Sequence, residues 1–343
     1  MILPTTYGLA LALTIITMLC WGSWANTFKL SKNWRFELFY FDYSLGVLIA
    51  AVIAAATFGS MGDELSVMDN LMIAGKRQMG FALGAGIVFN LANMLLVAAI
   101  SVAGMAVAFP VGIGLALVIG VVWSFWLNPS GSPFLLFAGA FLVLLAIVVD
   151  ALAYRAHTVD EEYEDEGSGF SIKGLMLALV SGVLMGSFYP LVEMSKTPVD
   201  IGLGPYSIAV FFAIGVFAST FIFNLYFMNL PVEGEPVGLV DYFRGGGKPG
   251  RNHLLGVLGG IIWCVGATCN YVAASAPAAI SPGPAVSYAM GQGATLISAL
   301  WGLLVWHEFR GAAMKVKLLL AVMLLLFVAG LGMVAVAPLY GTK

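Results

Sequence analysis

Long apolar stretches, broken by short polar ones, organise this chain from end to end. Ten windows are long enough for a helix to cross a bilayer, which takes about 20 apolar residues. They fall at 7–29, 39–59, 79–100, 102–125, 132–153, 174–195, 205–229, 253–275, 281–306 and 315–338. Helices that are apolar all round carry little periodicity, so length and the exclusion of charge define them. No Asp, Glu, Lys or Arg occurs from Gln78 to Val149, enough for three spans with tight turns, or from Asn252 to Trp306, enough for two. The short alternating segments of a membrane β-barrel are absent. The pattern predicts an all-α, polytopic membrane protein with ten transmembrane helices.

Composition sharpens this. The 343 residues are 61% apolar and only 10% charged, with mean hydropathy +0.97. A water-soluble fold could not hide that much apolar surface, which excludes a soluble enzyme. The net charge of −3 gives no reason to expect a nucleic-acid partner. The first apolar run lacks a preceding basic segment and is followed by many more, so it reads as a first span rather than a cleaved signal. Cys20, Cys264 and Cys269 lie in apolar stretches and read as small hydrophobes. His157, His253 and His307 have no metal-ligand spacing, and no phosphate loop or nucleophile elbow occurs. No enzyme chemistry, metal or cofactor is expected.

Three polar segments remain, at 60–78, 230–252 and 154–173. The last carries the run Asp160-Glu161-Glu162-Tyr163-Glu164-Asp165-Glu166, which reads as a solvated acidic linker. It separates two five-helix halves, 1–153 and 174–343, that resemble each other. Trp21-Gly22-Ser23-Trp24 matches Met185-Gly186-Ser187-Phe188, Ser31-Lys32 matches Ser195-Lys196, and Tyr43-Ser44 matches Tyr206-Ser207. Asn93 aligns with Asn270, and Val111-Gly112-Ile113-Gly114 with Met290-Gly291-Gln292-Gly293. An odd number of spans per repeat makes the repeats inverted, an architecture of secondary transporters with a midplane solute site between repeats. Loops on the side of the termini hold four basic residues, Lys76, Arg77, Lys196 and Lys343, whereas the linker side holds the remaining eleven. The positive-inside rule therefore predicts a cytoplasmic linker and outside termini, in a plasma or inner membrane.

Polar groups at bilayer depth are costly and few. The third helix offers Asn90 and Asn93, the eighth Trp263 and Asn270, and the ninth Tyr288, Gln292 and Thr295. The first adds Trp24 and the sixth Tyr189. Amides and hydroxyls beside aromatic rings suit a small uncharged polar solute such as a ureide, nucleobase or sugar. The same residue types also serve as hydrogen-bonded contacts between helices, and small residues as packing surfaces. Of the few charged residues near the spans, Glu193 in the sixth helix and Asp42 in the second are candidates for coupling transport to protons; Asp150 and Glu308 lie near the ends of the fifth and ninth. A drug or metabolite exporter of the same fold, and a non-transporting membrane scaffold or receptor, are the alternative readings.

The two five-helix halves look like the drug/metabolite transporter superfamily. Within it, several stretches resemble the plant ureide permeases and their bacterial relatives, and more loosely the rhamnose and glucose/ribose porters. These are Trp24, Asp42-Tyr43-Ser44-Leu45, Asn229-Leu230-Pro231, Leu255-Gly256-Val257-Leu258-Gly259-Gly260, and Trp301-Gly302 followed by Glu308-Phe309. Ala25 departs from the plant pattern, where Pro is common, as does Met290-Gly291-Gln292-Gly293. The resemblance implies proton-coupled uptake of allantoin-like ureides, uracil-like nucleobases or related solutes.

Overall fold

A computed structural model describes residues 1–31, 34–62, 64–161, 171–196, 201–232 and 234–340. The described residues form helices: α1 (Tyr7–Ser23), α2 (Ala25–Leu30), α3 (Phe36–Ala56), α4 (Val67–Ile73), α5 (Lys76–Ala103), α6 (Met105–Leu127) and α7 (Pro133–Glu161) in the first half. There follow α8 (Ile172–Met194), α9 (Pro205–Asn229), α10 (Leu239–Arg244), α11 (Pro249–Ala274), α12 (Pro284–Gln292), α13 (Ala294–Trp301) and α14 (Met314–Val336). Among the described residues, ten helical segments are long and apolar enough to span a membrane. The first span is α1 with α2, and the ninth is α12 and α13 with a π-helical turn, Gly302–Trp306. The two short helices α4 and α10 lie in the polar segments between spans.

Local chemistry sets the ends. Thr6 and Ser171 cap α1 and α8 by accepting from the backbone N–H groups of Leu9 and Gly174. Pro205, Pro249 and Pro284 occupy first-turn positions, where a missing N–H costs nothing. Gly104, at φ +75°, makes the one-residue turn between α5 and α6, a conformation that an L side chain resists. Pro110 and Pro190 lie inside α6 and α8, which continue through them. The fifth span runs past residue 153, so the first part of the expected linker is helical; residues 162–170, with most of the acidic run, lie outside the described residues.

Packing relies on glycine. A Cβ on Gly260 of α11 would lie 1.9 Å from the Tyr43 carbonyl oxygen of α3, and one on Gly46 would lie 2.1 Å from that of Val257. The same close crossing recurs between α5 and α9, where Gly86 meets the Phe212 carbonyl at 2.1 Å and Gly215 that of Leu83 at 2.2 Å. Gly139 and Gly330 abut in the same way where α7 crosses α14. Backbones brought this near gain the dispersion contacts that hold helices together in lipid, where water supplies no driving force between them. The principal helix pairs are α3 with α11, α5 with α9, α1 with α11, α5 with α8, α6 with α8, α1 with α12 and α13, and α7 with α14. Exchanging each span of the first half for its counterpart five spans later returns the same set of pairs.

Two spans break at the same level. Trp24 separates α1 from α2, and Gly293 separates α12 from α13. Asn26 Nδ2 and Thr27 Oγ1 take up the Ser23 and Trp24 carbonyls at 2.9 and 2.8 Å, and Thr295 Oγ1 takes up the Gln292 carbonyl at 2.9 Å. The breaks are thus satisfied internally, as backbone polar groups in a bilayer must be. Trp301 Nε1 donates to Ser23 Oγ at 2.8 Å and Trp306 Nε1 to Asn26 Oδ1 at 2.6 Å, tying the first span to the ninth on either side of the Trp24 break.

Candidate functional site

A cavity runs from the middle of the helix bundle towards the linker side. Its midplane chamber, of about 190 Å³, is walled by Trp21, Trp24, Phe89, Asn93, Phe109, Phe188, Trp263 and Gln292 among others. It shares Trp24, Ala25, Asn93, Leu96, Phe109, Thr295 and Ser298 with a second chamber of about 330 Å³. That chamber extends to Phe28, Phe36, Ile100, Asp150 and Tyr154, at the linker-side ends of their spans.

The aromatic wall is built by fitting large rings over glycines. Trp21 lies against Gly266 and Gly291, where a Cβ would approach its ring to 2.9 and 2.7 Å. So placed, it stacks on Trp263 with centroids 5.7 Å apart and planes within 10°. Trp263 also meets Phe89 at 4.4 Å and Phe212 at 5.6 Å. The polar groups are few and aimed. Asn93 donates to Tyr40 Oη at 3.1 Å, while its carbonyl oxygen accepts no hydrogen bond among the described residues. The Gln292 side chain is 8% exposed and makes no hydrogen bond with the described residues, although it sits at the α12 break. Thr295 and Ser298 add hydroxyls about one and two turns further on.

Of the solute-site residues expected from sequence, Trp24, Asn93, Trp263 and Gln292 line this cavity. The other four lie off its wall and hydrogen-bond neighbouring helices, with Asn90 Oδ1 alone of their polar atoms left buried without a partner among the described residues. Asn90 Nδ2 donates to Ser219 Oγ at 2.7 Å and to the Val216 carbonyl and Thr220 Oγ1, each at 3.2 Å, joining α5 to α9. Asn270 accepts from Tyr189 Oη at 2.5 Å and donates to the Ser287 carbonyl at 2.9 Å. Tyr288 Oη points at the Ala116 and Met185 carbonyls at 3.2 and 3.4 Å, its ring lying over Gly120. Tyr189, Asn270, Tyr271 and Tyr288 are fully buried. They fall towards the terminus-side ends of α8, α11 and α12, so together they form a floor that closes the cavity on that side.

The carboxylates near the spans have distinct settings. Glu193, beyond the tyrosine floor, accepts from Lys196 Nζ at 2.6 Å. Asp42 accepts from Tyr242 Oη and from His253 Nδ1, both at 2.7 Å, fastening α10 to the linker-side ends of α3 and α11. Burial and this bond to a carboxylate push the Tyr242 hydroxyl upward. Glu308, just past the ninth span, is paired with Lys29, accepts from Tyr154 Oη at 2.5 Å, and its backbone carbonyl accepts from His157 Nε2 at 2.8 Å. Partial burial works against its ionisation, but Lys29 and Tyr154 outweigh it and hold the carboxyl below the usual carboxylate range. Asp150 stands on the cavity wall with neither an ion pair nor a hydrogen bond among the described residues. Sequence reasoning placed it at a span end and gave it no role; its spacing of four from Tyr154, on one helix face, was the available signal.

A solved structure titled "Crystal structure of protein" matches the fold with a TM-score of 0.58 at 18% identity, covering 94% of this chain and 95% of that one. Ureide permease 1 of Arabidopsis thaliana is 23% identical over 98% of this chain and 97% of its own length. Ureide permease 2 of the same plant is likewise 23% identical over 96% and 97%. Probable ureide permease A3 of Vigna unguiculata is 28% identical over 45% of this chain and 43% of its own. The profile of the Ureide permease family matches residues 39–168 and 167–337. The chain is a membrane transporter that belongs to the ureide permease family.

Proposed function

We propose that the cavity carries a small uncharged polar solute of the ureide class across the plasma or inner membrane, with protons as the coupling ion. One observation carries the reading: the Asn93 carbonyl oxygen and the Gln292 amide, unpaired among the described residues, face a chamber whose walls are aromatic rings. A ureide presents a planar face to stack and N–H and C=O edges to pair, which is what such a site recognises. Trp24 and Trp263 supply the stacking faces. Neighbouring classes with the same edges, uracil-like nucleobases foremost, are the natural competitors.

The transport cycle follows from the repeat. Residues 1–153 and 174–343 act as two inverted units joined by a cytoplasmic acidic linker at 154–173, with the termini outside. The present conformation is then inward-facing: solute reaches Asn93 from the linker side, while Tyr189, Asn270 and Tyr288 seal the opposite side. Rocking the repeats opens the tyrosine floor, so that Asn270, the counterpart of Asn93, meets solute from outside, and Asn90 moves with the α5–α9 contact. Glu193 loads a proton when that opening separates it from Lys196, and Asp42 clamps the linker side through Tyr242 and His253.

Counterflow of radiolabelled allantoin, uracil and glucose in proteoliposomes tests this. Exchange of allantoin, competed by uracil and not by glucose, is the expected result. Silence for all three would replace the reading with a scaffold, and efflux without uptake in cells with an exporter.

A further inference from the structure

Asp150 is the one acidic side chain of the cavity wall among the described residues. It lies in α7 at a depth where the chamber is lined by Phe28, Phe36, Phe109 and Ile100. The residue is 91% buried by exposure, and its Oδ1 is sealed from solvent without a hydrogen-bond partner. A buried carboxylate is costly unless paired or hydrogen-bonded. The other carboxylates of the spans and their ends have such partners: Arg35 for Glu37, Tyr242 and His253 for Asp42, Lys196 for Glu193, and Lys29 with Tyr154 for Glu308.

The charges around Asp150 make its setting more negative. Glu308 acts on it from the end of the ninth span, and Lys29, the cation of this cluster, is already engaged by Glu308. On α7 itself, Tyr154 gives its hydroxyl to Glu308, His157 gives Nε2–H to the Glu308 carbonyl, and Arg155 is on the exposed face. From the elements packed on α7, α6 brings no titratable side chain, α12 brings only Tyr288, bonded to backbone, α14 brings Lys315 and Lys317, both exposed, and the turn Ala337–Tyr340 brings the exposed Tyr340. Among the described residues, Lys29 is thus the cation bonded to this pair of carboxylates, and it is bonded to Glu308. When the chamber closes and loses its water, that imbalance needs one more positive charge.

We propose that Asp150 is a proton-binding site of the transport cavity: it holds a proton as the neutral acid when the chamber is closed and gives it up on the linker side when water enters. This extends the transport reading by naming the residue that exchanges the proton inside the cell. Its occupancy by a proton does not depend on which solute is carried.

The full chain, reconstituted in nanodiscs without solute, tests proton binding by infrared difference spectra between acid and alkaline pH. The expected result is a titrating carboxylic C=O band in the parent that is missing from Asp150→Asn and displaced in frequency in Asp150→Glu. Identical spectra in the parent and Asp150→Asn would overturn the proposal; should the Asn variant misfold, an undisplaced band in Asp150→Glu would do the same. A second arm uses radiolabelled allantoin in proteoliposomes. With a gradient of one pH unit, one coupled proton supports about tenfold accumulation. Asp150→Asn should keep counterflow and accumulate nothing beyond equilibration. Full accumulation by that variant, or accumulation by the parent with a sodium gradient and none with a pH gradient, contradicts it. If the parent exchanges no allantoin, the transport reading fails on its own, and the infrared spectra still decide whether Asp150 binds a proton.

Discussion

Gln292 and Asn90 offer a double dissociation between binding solute and holding helices together. Gln292→Leu keeps the side chain's size and its helix propensity and removes an amide that pairs with nothing in the described protein. The fold should therefore lose little. A solute that had paired with that amide is left with an unsatisfied polar edge in a desolvated chamber, which costs about 1–3 kcal/mol, or about 5- to 150-fold in Kd. Asn90→Leu does the reverse. It deletes contacts at 2.7, 3.2 and 3.2 Å to α9 and leaves the cavity wall intact. Its cost, about 1–3 kcal/mol, falls on stability. Equilibrium binding of radiolabelled allantoin to protein in detergent, read beside the thermal midpoint of the same samples, separates the two. Gln292→Leu should weaken binding at an unchanged midpoint, and Asn90→Leu should lower the midpoint with parental affinity among the folded molecules. If Gln292→Leu binds as the parent does, or both variants lose affinity and stability together, the division of the two amides into site and scaffold is refuted.

Gly260→Ala should destabilise, because its Cβ would sit 1.9 Å from the Tyr43 carbonyl and helices α3 and α11 must part by more than an ångström; about 1–3 kcal/mol is expected. Gly80→Ala, with open space around it, should stabilise α5 by about 1 kcal/mol, and thermal midpoints that move alike would refute the packing account. Glu193→Gln should retain counterflow and lose gradient-driven accumulation in proteoliposomes; undiminished accumulation would leave Glu193 a rim charge paired with Lys196. The Lys29–Glu308 cluster carries a pH dependence of definite sign. Since Glu308 is held below its ordinary value of 4.5, its stabilising effect is fully present above that value and fades as the pH falls through the lowered one. Midpoints of the parent and Glu308→Gln should converge in acid and part above it, and a gap that ignores pH would count against the cluster.

The spans were legible because a bilayer sets their length and forbids charge, so apolar windows alone mark them. What the windows could not give is azimuth. Asn90 and Asn93 are three residues apart on a helix that is apolar all round, yet one is spent on α9 hydroxyls and the other faces the cavity. Nor could they give depth within a span. Asn270 and Asn93 align between the sequence halves, yet Asn93 lines the cavity while Asn270 is bonded to Tyr189 and the Ser287 carbonyl. The break at Gly293 carries no proline to announce it, and the one at Trp24 arises from side chains that take up its carbonyls. Asp150 looked interfacial by position; only the packing of α2 and α13 around it turns that end of α7 into cavity wall.

The central claim is that solute occupies the chamber between Asn93 and Gln292. A structure of the protein determined with allantoin bound tests it most directly. The account predicts a planar ligand against Trp24 or Trp263, with polar edges within hydrogen-bond distance of the Asn93 carbonyl oxygen and the Gln292 amide. Allantoin bound outside this chamber, with both amides left unengaged, would contradict it.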